Sequence, residues 1–248
     1  MTISWILKQT DFRAFHDAGY RESYFFTRAE IKKPMRFECQ GCTVSCCSLR
    51  PDEEKKILLF PEEVERLETK AIETGNLDFA VVEDLIFPDT LNRTILVGAY
   101  RLFLERHPRR ACAFLDPETS RCTIHDIRPL VCRGYPVAIK TIDATTREYY
   151  LDTGCEFVEQ HLDEFTAIKT LTDIQDLKTY FQESFPEENA AAERILIRLA
   201  WIPLRLRQLE AEGLITIPDE LTTAEWQEAL ETWDRIDLIP DDAKDRVD

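Results

Sequence analysis

Cys39-Gln-Gly-Cys42-Thr-Val-Ser-Cys46-Cys47 places four of the chain's eight cysteines within nine residues. The Cys39-x2-Cys42 pair lets two thiolates converge on one metal ion from a tight turn, and Gly41 supplies the backbone freedom such a turn requires. A second set follows: Cys112, Cys122, His125, Cys132 and Cys155, with Arg128 and Arg133 in the same stretch. Ala111–Leu115, the turn-rich Asp116–Ser120 and Arg121–Ile124 read as a hairpin, which would put Cys112 and Cys122 on neighbouring strands. Neither set supplies an independent zinc finger, because the second has wide gaps and a single histidine. Convergence of both sets on one core is the simpler way to complete four-ligand sites. Eight cysteines make two such sites, or one site with accessory thiols. The adjacent Cys46 and Cys47 side chains tend to diverge toward different sites.

Thiolates suit zinc and iron–sulfur clusters about equally by softness. Iron–sulfur centres, the 4Fe–4S type among them, are held by four cysteines. Residues 101–150 carry nine basic and six acidic side chains, a local charge of +3 in a chain of net charge −16, and this suits an anionic cluster. The balance favours an iron–sulfur cluster as cofactor, with zinc as the alternative. Arg128 and Arg133 are expected at the cofactor, where a guanidinium favours thiolate over thiol and offsets cluster charge. The competing reading sends both to surface carboxylates. His125 reads either as a ligand or as an ordinary hydrogen-bonded histidine, and His16, His107 and His161 as structural or surface residues. Eight buried structural thiols or a disulfide framework would be the bland accounts. The ligand-like spacings oppose the first, and a reducing compartment opposes the second.

Phe37-x-Cys39-x2-Cys42, the vicinal Cys46-Cys47, Cys112-x-Phe-Leu115 and Cys122-Thr-Ile-His125-x2-Arg128-Pro129-x2-Cys132-Arg133-x-Tyr135-Pro136 resemble the YkgJ-type cysteine-cluster family. That family is known as the CxxCxxCC zinc- or iron-chelating domain and is often described as holding an iron–sulfur cluster. The resemblance spans about residues 37–136 and extends toward Cys155. The usual motif has two residues between its second and third cysteines; this chain has three, a spacing more similar to the flagellin lysine-N-methylase branch. The resemblance implies metal ligation by cysteine.

The elements that must position these residues read as α+β, mainly helical, with small antiparallel hairpins around a cysteine-rich metal core. Residues 1–36 read as an N-terminal extension, 37–157 as the metal-binding core and 158–248 as a helical region packed on it. Pro34 suggests an extended entry into the first cluster. Pro61 at a first-turn position with Glu62 and Glu63 behind it predicts a helix to Gly75. Val137–Ile142 and Arg147–Leu151, around Asp143–Thr146, predict a hairpin. The 3.6-residue stripes Phe157, His161, Phe165, Ile168, Thr172 and Ile195, Leu199, Ile202, Leu206, Leu209 predict core-facing helices. Thr222-Thr-Ala-Glu225 predicts a capping box that opens a last helix through Trp226, Leu230 and Trp233, before a frayed tail from Asp241.

Composition narrows the function. Only seven glycines occur, and no phosphate-cradling loop motif, H-E-x-x-H or G-x-S-x-G is present. A net charge of −16 opposes nucleic-acid binding, which rests on Lys and Arg neutralising phosphates. The N-terminus lacks a secretory pattern, no segment reaches the roughly 20 apolar residues of a membrane span, and the chain reads as cytoplasmic. On that reading the sequon Asn92-Arg-Thr94 goes unused. Three function classes follow. An iron–sulfur protein with a redox or electron-transfer role, serving a redox partner, comes first. A SAM-dependent protein lysine N-methylase is the enzyme alternative, weakened by the lack of a recognisable cofactor-binding segment. A zinc-stabilised module that binds a basic protein partner is the third. Whether the chain is an oxidoreductase, a methyltransferase or no enzyme stays open at the level of sequence.

Overall fold

The computed structural model describes residues 36–37, 39, 47, 57–104, 111–141, 147–161 and 174–240. Cys42, Cys46, His16, His107, the turn at 143–146, the stripe positions Phe165, Ile168 and Thr172, and residues 1–35 and 241–248 lie outside the described residues. The chain divides into two compact units built from non-contiguous stretches. Among the described residues, 57–104 and 198–240 form the first and the remainder form the second.

The first unit is organised by β3 (Thr94–Leu102), whose Thr-Ile-Leu-Val-Gly-Ala run is apolar on both faces and therefore suits a strand covered on both sides. It pairs antiparallel with β1 (Leu58–Leu59) and β2 (Val81–Asp89) and parallel with β6 (Asp234–Asp237). Alternation divides its side chains. Ile95 and Val97 pack with Ala229 of helix α6 (Thr223–Thr232), while Leu96 packs with Phe87 and with Ile202 and Leu206 of helix α5 (Pro186–Ala211). Gly98 falls on the α5 face, where an added Cβ would stand 3.1 Å from the Ile202 side chain. Helix α1 (Pro61–Glu73) ends before Gly75, which takes φ +65°. Its acidic first turn does two jobs. Glu63 accepts from the Phe60 backbone N–H at 2.9 Å, and Glu62 receives a two-pronged hydrogen bond from Arg198 at 3.2 and 2.9 Å. At the capping box Glu225 N–H donates to Thr222 Oγ1 at 3.3 Å, and Thr222 N–H returns to Glu225 Oε2 at 2.8 Å. The helix then buries Ala229, while Leu230 stays 45% exposed.

The second unit contains α2 (Leu130–Gly134), the hairpin β4 (Val137–Thr141) and β5 (Arg147–Leu151), α3 (Glu156–Gln160), α4 (Ile174–Ser184) and the first half of α5. Its core joins Val137, Tyr149, Leu151, Cys155, Val158, Tyr180, Phe181, Phe185 and Ala192. The predicted hairpin at 137–151 forms, with Val137 opposite Leu151 and Thr141 opposite Arg147. The one at 111–124 is reduced to a single antiparallel bridge, Leu115 to Cys122. The reason is local. Leu115 N–H turns back to Cys112 C=O at 3.0 Å, and Asp116 Oδ1 accepts from the Glu118 and Thr119 amides at 2.8 and 3.2 Å, so the segment closes into tight turns before strands can extend. No helix among the described residues is long and apolar enough to cross a membrane. The fold is α+β, with helices and small antiparallel sheets.

Gly98→Val should destabilise the protein by about 1–3 kcal/mol, because the side chain is forced into the packed β3–α5 contact. Urea unfolding should show the loss shrinking when Ile202→Val is added, which removes the atom nearest that Cβ; strict additivity would contradict the contact.

Candidate metal centre

The first cluster meets the second through the backbone. Cys112 N–H donates to Cys47 C=O at 2.7 Å, and both residues are buried, at 7% and 8% exposure. Cys122 follows on the bridge to Leu115, with Thr123 N–H donating to Phe114 C=O at 2.9 Å. The turns at 112–123 therefore hold Cys112 and Cys122 on one small scaffold that leans on Cys47.

Cys39 and Cys155 are tied to a common aromatic cluster. Phe37 N–H donates to Ser184 C=O at 2.8 Å. The Phe37 ring meets Phe157 edge-on with centroids 5.1 Å apart and lies 5.5 Å from Phe185, and Phe185 belongs to the same buried core as Cys155. Cys155 precedes α3, its backbone N–H donating to Asp152 C=O at 3.1 Å and its C=O accepting from Glu159 N–H at 2.9 Å. Cys39 leaves this anchored segment exposed. Cys132 is half-buried on α2. That short helix lies close against α5, since a Cβ on Gly134 would come within 3.3 Å of Ile195 and 3.4 Å of the Ala192 backbone nitrogen.

Arg128, one of the two arginines expected at the cofactor, meets no surface carboxylate among the described residues. It is buried, and its guanidinium stands 2.9 Å from His125 Nε2. A guanidinium only donates, so Nε2 accepts and His125 is a neutral imidazole with its proton on Nδ1. Burial, reinforced by Arg128, pushes the His125 pKa below the usual histidine value, against the opposite pull of Asp126 and Glu187. Glu188, near enough for Arg128 to favour its ionised form, is itself buried, and desolvation wins and raises its carboxyl pKa. Among the described residues, then, Arg128 has a neutral hydrogen-bond partner and no direct ion pair, which is costly for a buried cation unless an anion is at hand. Arg133 is half-buried on α2. His161 is structural, with Nδ1 at 2.8 Å from Phe157 C=O and its ring 4.6 Å from that of Phe157.

Sequence reasoning misses a group of buried polar side chains in the second unit. Ser184 and Asn189 are 0% and 2% exposed, and Ser184 Oγ and Asn189 Oδ1 lack hydrogen-bond partners among the described residues. With Glu188 they sit where α4 gives way to α5. Pro186-Glu-Glu-Asn reads in sequence as an ordinary solvent-facing first turn, and no residue type there signals burial.

Among the described residues no group of three or more His, Cys, Asp and Glu side chains stands in an arrangement that could hold a metal ion. Six of the eight predicted ligands, Cys39, Cys47, Cys112, Cys122, Cys132 and Cys155, are described. All six fall in the second unit. Cysteine as thiolate is a soft, anionic donor, and in the same unit the buried Arg128 guanidinium has no ion pair among the described residues. That chemistry fits a soft, negatively charged centre.

Residues 38–157 match the family model CxxCxxCC, described as "Putative zinc- or iron-chelating domain". No solved structure matches the chain.

The depressed His125 pKa has a definite sign in solution. The unfolded chain takes up the His125 proton more readily than the folded one, so this residue's contribution erodes stability as the pH falls below about 6.5 and has no effect well above it. An NMR titration should place the His125 midpoint below the free-histidine value, and Arg128→Gln should move it upward. An unchanged midpoint in that variant would contradict the Arg128–His125 contact.

Proposed function

Because the chain carries over residues 38–157 a domain of the CxxCxxCC zinc- or iron-chelating family, we propose that it is a cysteine-ligated metalloprotein whose metal is an iron–sulfur cluster with a redox or electron-transfer role. The observation that carries the shared site is the 2.7 Å hydrogen bond from Cys112 to Cys47. It makes the last cysteine of the first set and the first of the second neighbours in space, as a site drawing thiolates from both would need. Cys39, Cys42, Cys46, Cys47, Cys112, Cys122, Cys132 and Cys155 are the ligand set, enough for two four-thiolate sites or for one with accessory thiols. When bound, an iron–sulfur cluster supplies one-electron exchange at a potential tuned by its surroundings.

The chain's own residues supply those surroundings. Arg128, buried and hydrogen-bonded only to a neutral imidazole among the described residues, offers positive charge to an anionic centre, and Arg133 adds a second guanidinium directly beside Cys132. Structural zinc would satisfy the same cysteines but gives no reason for a buried cation that has no carboxylate partner among the described residues. The aromatic packing of Phe37, Phe157 and Phe185 would exclude water from the buried Cys155 side of the site, while Cys39 stays exposed. With a net charge of −16, a redox partner would present a basic docking face.

Anaerobic purification followed by metal and acid-labile sulfide analysis should give iron and sulfide in comparable amounts with visible absorbance. Stoichiometric zinc without sulfide would overturn the iron–sulfur assignment and leave the metal-binding one. Cys42→Ser and Cys112→Ser, one from each set, should both reduce metal content and lower the melting temperature by about 10 °C or more, since metal-binding free energy becomes folding free energy. A melting curve unchanged in the metal-free protein would contradict ligation as a folding requirement.

A further inference from the structure

The first unit contains a half-open cavity of about 500 Å³, within the usual range of small-molecule sites. It is framed by the end of β2, β3, one face of α5, the 214–215 loop and β6 with the residues after it. Most of that lining lies beyond residue 157, outside the span of the family match. The cavity is therefore a separate feature of this chain, and an inference from it does not rest on the metal reading.

Its frame is fixed before any ligand arrives. Asp89, fully buried, accepts from Leu91 N–H at 3.0 Å, Thr216 N–H at 2.8 Å, Asn92 Nδ2 at 2.6 Å and, more weakly, Thr94 Oγ1 at 3.4 Å. Asn92 Nδ2 also reaches Leu214 C=O at 2.8 Å, and Leu238 N–H donates to Val97 C=O at 2.8 Å. These bonds lock the hairpin turn, the 214–216 loop and the strand after α6 to one another, which lowers the ordering cost of binding. They also occupy Asp89, so that its carboxylate is a structural hub and has little left to offer a ligand.

The remaining lining is asymmetric. Leu96, Leu209 and Ile215 form an apolar floor, and Trp201 adds an aromatic wall whose ring carries Arg198 at 4.7 Å from its centroid. Leu214 and Ile236, at 54% and 48% exposure, extend the apolar surface out at the mouth. One turn along α5 from Trp201 stands Arg205, half-buried in the cavity wall, and no hydrogen bond or ion pair engages its guanidinium among the described residues. Of the two carboxylates that line the cavity, Asp89 is consumed as above and Asp237 is exposed and already accepts from the Tyr100 hydroxyl at 2.7 Å.

We propose that this cavity binds a small organic carboxylate with an apolar body, its carboxylate on Arg205 and its body along Trp201, Leu209 and Ile215 toward the mouth at Leu214 and Ile236. A guanidinium takes a carboxylate in a two-pronged, charge-assisted geometry that neither a neutral amide nor an ammonium can reproduce.

The test compares three probes with one apolar body and different charge: 4-phenylbutyrate, 4-phenylbutanamide and 4-phenylbutylamine. They are titrated into the full-length protein as purified with its metal, and binding is read by NMR chemical-shift changes. The acid should bind about ten- to a hundredfold more tightly than the amide, with shifts concentrated at α5, the 214–216 loop and β6. Arg205→Gln should abolish that preference while leaving the weaker binding of the amide in place. Leu209→Arg, which places a charge on the apolar floor, should weaken the amide as well. Equal binding of acid and amide, tighter binding of the amine, an acid preference that survives Arg205→Gln, or no binding of any probe at millimolar concentration would each overturn the assignment.

Discussion

One backbone hydrogen bond, Cys112 to Cys47, joins two stretches of the second unit that are far apart in sequence. A cysteine-ligated metal imposes a hard geometric constraint, since its ligands must converge within a few ångströms whatever their separation along the chain. The tight turns at 112–123 give Cys112 and Cys122 a short, stiff platform. The aromatic cluster of Phe37, Phe157 and Phe185 ties the approach to Cys39 and the start of α3 to one core. Gly134 lets α2, with Cys132 and Arg133, lie tightly on α5. Each device acts on backbone placement, which would suit the proposed site, whose final geometry a metal would complete.

Charge supplies the second constraint. A buried arginine is normally explained by a carboxylate, and the first unit contains the ordinary solution: Arg198, buried, forks onto Glu62 and lies over the Phe60 and Trp201 rings. Among the described residues Arg128, in the second unit, lacks that solution. Glu188, an acid whose ionised form Arg128 favours, is pushed toward the neutral form by burial, and the hydrogen-bond partner of Arg128 is an uncharged imidazole. The contrast between two buried guanidinia in one chain makes the environment of Arg128 a feature to be explained, and the proposed anionic cluster would explain it.

Much of this was legible in sequence where the signal is local. Pro61 with its acidic first turn, the Thr222–Glu225 capping box and the 137–151 hairpin all form where turn and cap chemistry point. Of the Ile195, Leu199, Ile202, Leu206, Leu209 stripe on α5, Ile202 and Leu206 are buried and the other three are half-buried. The central hairpin β2–β3 has no counterpart in that reading, because an apolar run such as Thr94–Ala99 has neither a helical nor an alternating period when both faces are covered. The 111–124 segment misled for the opposite reason: its strand-like residues are overridden by the Asp116 side chain and the reversal at Cys112. The cysteines were found by spacing alone, whereas Ser184, Glu188 and Asn189 are polar residues at a helix junction, and only tertiary packing reveals that they are buried. Nor does the sequence separate zinc from iron, since thiolate count and softness serve both.

X-ray absorption at the iron and zinc edges of the natively purified protein tests the central claim most directly. The account predicts an iron signal with a first shell of sulfur at about 2.3 Å, and loss of sulfur scatterers in both Cys42→Ser and Cys112→Ser. A first shell of nitrogen and oxygen, or a sulfur shell untouched by either substitution, would contradict a metal centre shared between the two cysteine sets.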